Sequence, residues 1–264
     1  MSDPGGPARH LGRDLVAELA TIDRALLGTW VKIPAVETVE LLANAGFDFV
    51  VVDMEHSPIT LESAYRAILV AQACGMAALA RVPDHGGTDA QRLLDCGADG
   101  ILVPRVNSVE DAERALGKLV FPPAGERGMG RTSRAGLWGL APMEDYRGRG
   151  TASTLRCVQL EELRALREVR RILEVPNLGA VFIGMGDLTM SAGRPASDPE
   201  IAQLVGEVLA SSRAAGIPIG TAVTDAMSAR RAVEQGFRFV MVSNDAGLFG
   251  QAAIELVRAS KTDA

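Results

Sequence analysis

Eight short apolar runs recur along the chain, separated by stretches in which hydrophobic residues return every three to four positions. The runs are "LLGTWVKI" (26–33), "FDFVVVDM" (47–54), "MAALARV" (76–82), "GILVPRV" (100–106), "LRCVQLE" (155–161), "GAVFIGM" (179–185), "IPIGTAV" (217–223) and "FRFVMVS" (237–243). None alternates strictly between apolar and polar, the pattern of parallel strands covered on both faces. Segments between them, such as "AVETVELLANAG" and "LESAYRAILVAQACG", read as helices, with acidic residues early and arginine or glycine late. In "LLANAGFDFVVVD", "LLDCGADGILVP" and "AVEQGFRFVMVS" a helix stops at Gly46, Gly97 or Gly236, where a C-cap needs left-handed backbone, and a strand follows at once. Strand and helix alternating eight times predicts an α/β chain folded as a single-domain (β/α)8 TIM barrel over residues 15–264, behind a flexible N-terminus at 1–14. A doubly wound open sheet competes, but no Gly-rich fingerprint follows the first strand.

One long interruption, "FPPAGERGMGRTSRAGLWGLAPMEDYRGRG" (121–150), separates the fourth and fifth strands. Loops of that length are usually functional. Its arginines suit an anionic ligand, and a solvated excursion or subunit contact fits the same residues equally well.

Composition narrows the function classes. With 264 residues, 47% hydrophobic and 23% charged, the chain suits one large soluble core, filled mainly by aliphatic residues because aromatics are only 4%. A net charge of −6 argues against a nucleic-acid partner, which needs a basic face. Cys74, Cys96 and Cys157 are odd in number and outside any CxxC spacing, so reduced thiols are expected rather than disulfides or a thiolate zinc site. The opening "MSDPGGPARH" lacks a basic stretch followed by an apolar one, and no apolar run reaches membrane-spanning length. The expectation is a cytoplasmic protein with no membrane or nucleic-acid partner.

Chemistry in a barrel is carried at the carboxyl ends of the strands. Here those ends hold Asp53, Glu55 and His56 after the second run, Arg81 after the third, Arg105 after the fourth, Gln159 and Glu161 after the fifth, Asp187 after the sixth, and Asn244 and Asp245 after the eighth. So many polar ends on apolar strands imply a shared solvated or metal-filled cavity. Gln159 and Glu161 lie two apart, on one face of a strand. With Asp187 from the next strand, Glu161 makes an oxygen pair suited to Mg2+ or Mn2+, with Co2+ also compatible, the remaining ligands being water and substrate. The same two acids serve equally as helix-start residues. His56 stands among carboxylates that fix its tautomer, whereas His10 and His85 read as exposed or structural. Arg81 places a delocalised cation where an enolate would form.

The sequence resembles the class II pyruvate-dependent aldolases of the HpcH/HpaI family almost end to end, through "GTWVKIP", "AGFDFVVVDMEHSP", "ARVP", "LLDCGADGILVP", "FPPAGERGMG", "VQLEE", "FIGMGDLTMSAG" and "GFRFVMVSNDAGL". That resemblance implies a (β/α)8 barrel, a hexamer whose last helix packs on a neighbour, and metal-dependent cleavage or formation of a 4-hydroxy-2-oxo acid, giving pyruvate and an aldehyde through an enolate. It makes His56 the base, Arg81 the enolate stabiliser, and Glu161 and Asp187 the metal ligands. Gln159, Gly186 and Asp187 then bind substrate, and Asp95 raises the basicity of the histidine. Asp95 should sit at a helix end away from its own barrel mouth, so that contact would cross a subunit interface. Trp30 and Trp138 are candidates for shaping the aldehyde pocket and serve packing equally well. No organic cofactor or Schiff-base lysine is required, and Lys32 reads as peripheral. Ser57, Met185, Gly186 and the spacing of "GRTSRAG" depart from common family forms, which leaves the aldehyde open. A related decarboxylase or acyl-CoA lyase, and a catalytically silent barrel, are the competing functions.

Overall fold

A computed structural model of the chain describes residues 11–261. Eight parallel strands close into one barrel in sequence order. They are β1 (Leu26–Val31), β2 (Phe49–Asp53), β3 (Ala77–Arg81), β4 (Gly100–Val103), β5 (Leu155–Leu160), β6 (Ala180–Ile183), β7 (Ile219–Val223) and β8 (Phe239–Asn244). Each lies inside an apolar run of the sequence or overruns it by one residue. The helices are α1 (Leu15–Thr21), α2 (Val36–Asn44), α3 (Leu61–Ala73), α4 (Thr88–Asp95), α5 (Val109–Gly117), α6 (Met143–Ala152), α7 (Leu163–Arg167), α8 (Val169–Ile172), α9 (Met185–Ala192), α10 (Pro199–Ala215), α11 (Ala226–Gln235) and α12 (Asp245–Ser260). This is a single-domain (β/α)8 TIM barrel. Among the described residues no helix is long and apolar enough to cross a membrane.

Strand side chains alternate between two cores. Leu26, Phe49, Val51, Leu79, Leu102, Phe182 and Phe239 fill the barrel interior, while Val50, Val52, Ile101, Val158, Val181 and Val240 face the helices. Burial on both sides explains why the runs show no alternation of polarity. The interior is tight: a Cβ on Gly28 would lie 2.4 Å from the Phe49 ring, and one on Gly220 2.2 Å from the Phe239 ring. Leu15 and Leu19 of α1 pack on this interior core from below. The expected flexible N-terminus, His10 included, lies mostly outside the described residues. Within them, Asp14 caps α1 and Arg13 donates to the Asp48 carbonyl at 2.8 Å.

Gly46, Gly97 and Gly236 have φ of 94°, 89° and 107°, the left-handed backbone anticipated at these helix ends. The segment 121–150 differs from its reading as one long loop. It contains a 3-10 stretch (Arg134–Gly139) and most of α6, with a small core of Phe121, Ala141 and Tyr146. It begins after α5, which puts it at the amino-terminal end of the barrel, opposite the strand carboxyl ends.

Candidate active site

Asp53, the last residue of β2, organises the mouth. It is fully buried and accepts hydrogen bonds from Arg81 Nε at 3.0 Å and Nη2 at 2.8 Å, and from Lys32 Nζ. Its Oδ1 also accepts the backbone N–H groups of Glu55 (3.1 Å) and His56 (3.2 Å), which folds the turn carrying both side chains. Burial alone would raise this carboxyl, but the hydrogen bonds and charges of Arg81 and Lys32 outweigh it and hold the pKa down at about 2. Lys32 is therefore part of the mouth and not peripheral, contrary to what its position in the sequence suggests. It closes the ion cluster and reaches the His56 carbonyl at 3.3 Å. The cause is the end of β1, where Asp245 accepts the N–H groups of Lys32 (2.9 Å) and Ile33 (3.0 Å). Asn244 caps α12 through Gly247 N–H, so the polar end of β8 is structural.

The Arg81 guanidinium lies 4.1 Å from the Trp30 ring centroid, with Nη1 3.3 Å from Glu55 Oε2. Trp30 is buried and packs edge-on against Phe182, so it braces Arg81 from the barrel interior. His56 Nε2 stands 3.7 Å from the same Glu55 oxygen, and its side chain is 57% exposed. Glu55 thus bridges His56 and Arg81, a part the sequence did not assign to it.

Glu161, just beyond β5, is buried and accepts a hydrogen bond from Gln159 Nε2 at 2.5 Å. Burial raises its pKa, and the charges of Asp187 and Glu55 add to the rise against the Gln159 hydrogen bond. Asp187 sits in the first turn of α9, exposed, with no capping hydrogen bond and no ion pair among the described residues. Gly184 lets β6 pass close by: a Cβ there would lie 2.9 Å from Gln159 Nε2 and 3.2 Å from Glu161 Oε2. Gly186 has open space above it, beside the uncapped start of α9.

Glu55, His56, Arg105, Glu161, Asp187 and Ser191 share the wall of one open cavity of about 330 Å³. Its carboxylates repel one another, and Gln159 Oε1 is buried without a partner among the described residues. Among the described residues no group of three or more His, Cys, Asp and Glu side chains is arranged to hold a metal. Two unneutralised carboxylates beside open volume nonetheless fit a hard divalent cation that keeps water or substrate oxygens as its other ligands.

Asp95 ends α4, at the other end of the barrel, and makes no contact with His56 among the described residues. Its Oδ1 lies 3.4 Å from Arg127 Nη2, and burial raises its pKa against the pull of that charge. Trp138 is 65% exposed in the same amino-terminal excursion, away from its own mouth. His85 is tied to the Pro104 carbonyl at 2.6 Å.

Residues 26–252 match the profile of the HpcH/HpaI aldolase/citrate lyase family. The chain belongs to that family. As an HpcH/HpaI protein it joins a group of carbon–carbon lyases. It is 32% identical over 243 residues to a 2-dehydro-3,6-dideoxy-6-sulfogluconate aldolase of Pseudomonas putida, covering 90% of this chain and 93% of that protein. It is 31% identical over 240 residues to a 5-keto-4-deoxy-D-glucarate aldolase of Citrobacter koseri, covering 90% and 93%. A crystal structure of an HpcH/HpaI aldolase/citrate lyase family protein from Burkholderia cenocepacia superposes with a TM-score of 0.86 at 28% identity, covering 94% of this chain and 99% of that one.

Proposed function

We propose that this chain is a divalent-metal-dependent class II aldolase that cleaves or forms a 4-hydroxy-2-oxo acid, with pyruvate and an aldehyde as the products of cleavage. The observation that carries the reading is the convergence of His56, Glu161 and Asp187 on one cavity, with Arg81 held behind Glu55 at its edge. Membership of the family, and relatives named as aldolases of oxo sugar acids, support the reaction class.

Glu161 and Asp187 would hold Mg2+, Mn2+ or Co2+, which when bound polarises the substrate ketone. Gln159 orients Glu161 through its amide N–H. The uncapped N–H groups at the start of α9, at Gly186 and Asp187, receive the substrate carboxylate. His56, with Glu55 beside it, takes the proton of the C4 hydroxyl. The C3–C4 bond then breaks, the aldehyde leaves, and the electron pair passes to the C2 oxygen as an enolate. The Arg81 guanidinium, fixed by Asp53 and Trp30, supplies positive charge for that oxygen. Protonation at C3 gives pyruvate.

We further propose a hexamer, in which Asp95 of one subunit serves His56 of another. Helix α12 supports this, because Asp245 is its only buried residue and Phe249 and Leu256 are 73% and 69% exposed. The test of the aldolase reading is pyruvate release from a 4-hydroxy-2-oxo acid with Mg2+ or Mn2+. Chelator should abolish it, and Glu161→Ala should lower it by more than the roughly 10–100-fold that loss of an outer-shell partner costs. Release that ignores both would overturn the reading.

A further inference from the structure

We propose that Arg105 reads the far end of the substrate, recognising an anionic group (carboxylate, sulfonate or phosphate) on the aldehyde half. The proposal deepens the aldolase reading and rests on it.

Arg105 follows β4 with φ of 55°, a left-handed conformation that an arginine adopts only where its surroundings impose it. The residue lines the cavity shared with His56, Glu161 and Asp187. The guanidinium is fixed on two sides, with Nη2 donating to the Pro83 carbonyl at 2.5 Å and Nε 3.5 Å from Glu55 Oε1. Nη1 has no hydrogen bond or ion pair among the described residues, and the side chain is 58% exposed. A planar fork held at one edge and open at the other is suited to a carboxylate, sulfonate or phosphate.

Charge balance points the same way. Among the described residues, Arg105 is the one arginine or lysine lining this cavity. Its counter-charge to Glu55 is redundant, because Arg81 already stands 3.3 Å from that carboxylate. The contact is 3.5 Å long and its arginine is 58% exposed, so balancing Glu55 does not by itself explain the strained backbone. Geometry supplies a use. With the oxo-acid end of the substrate on the Glu161 and Asp187 side and the C4 hydroxyl at His56, the substituent on C4 continues past His56 toward the residue that touches Glu55 from the opposite side. That residue is Arg105.

The experiment measures kcat/KM in the aldol direction, with pyruvate and Mn2+, for aldehydes paired by length: glyoxylate with acetaldehyde, succinate semialdehyde with butanal, and glyceraldehyde 3-phosphate with glyceraldehyde. Wild type is compared with Arg105→Met and Arg105→Lys. Wild type is expected to favour the anionic member of at least one pair. In that pair Arg105→Met should cut the anionic-to-neutral ratio by about 10- to 100-fold, the loss of one charge-assisted hydrogen bond, and Arg105→Lys should restore part of it. Preference for the neutral member in every pair, or an equal fall for both members in Arg105→Met, would overturn the proposal. Deuterium uptake into the pyruvate methyl by wild type, run in parallel, separates the two levels: uptake without an Arg105 effect on the ratio removes this inference alone, and no uptake removes the aldolase reading as well.

Discussion

At the scale of single residues, Asp53 carries more of the site than any group that touches substrate. It is fully buried, yet it binds two cations and shapes the turn that presents His56. Asp53→Asn should destabilise the protein by about 3–5 kcal/mol in urea unfolding, because Arg81 and Lys32 lose their shared counter-charge. The pH dependence follows from its depressed pKa of about 2. The stabilisation from Asp53 is complete above the unfolded carboxyl value near 4 and is lost as pH falls through about 2, so wild type should lose an acid-labile increment in that window that Asp53→Asn lacks. His56, Glu161 and Asp187 were legible in the sequence because each breaks or follows an apolar strand at its carboxyl end. Lys32 and Glu55 were not, since their roles depend on which side chains meet across strands. Lys32 is aimed by Asp245, 213 residues away, and no local pattern records that pairing.

At the scale of elements, the passage from β6 into α9 sets the geometry of the candidate metal pair. Gly184 is the contact point, and a methyl group there would push on both Gln159 and Glu161. Gly184→Ala should therefore lower Mn2+ affinity about 10- to 100-fold, measured by titration calorimetry, while far-UV circular dichroism stays that of the wild type. The strands were readable because burial on both faces leaves an unmistakable apolar run, and the glycine stops were readable because left-handed backbone restricts the choice of residue. Helix α6 was not: "MEDYRGRGTA" holds two glycines and buries only Tyr146, so it presents no apolar stripe.

At the scale of the whole molecule, two features of the described residues point beyond a single barrel. One is the apolar surface of α12; the other is Asp95, remote from the His56 it is proposed to serve. Both are accounted for if subunits assemble so that the amino-terminal end of one barrel closes the mouth of the next. Phe249→Glu should then sediment as a smaller species than the wild-type oligomer, and its pyruvate-forming activity should fall with the loss of assembly. A wild-type monomer that retains full activity would remove this part of the account.

Enolate formation at the mouth of the barrel would exchange the methyl protons of pyruvate with solvent. The most direct measurement is deuterium exchange into the methyl group of pyruvate, followed by proton NMR with Mg2+ or Mn2+ and again with chelator, in wild type, Glu161→Ala and Arg81→Ala. Exchange should need the metal and be lost in both variants. Absence of exchange with any divalent metal, or exchange that persists at the wild-type rate in both variants, would contradict it.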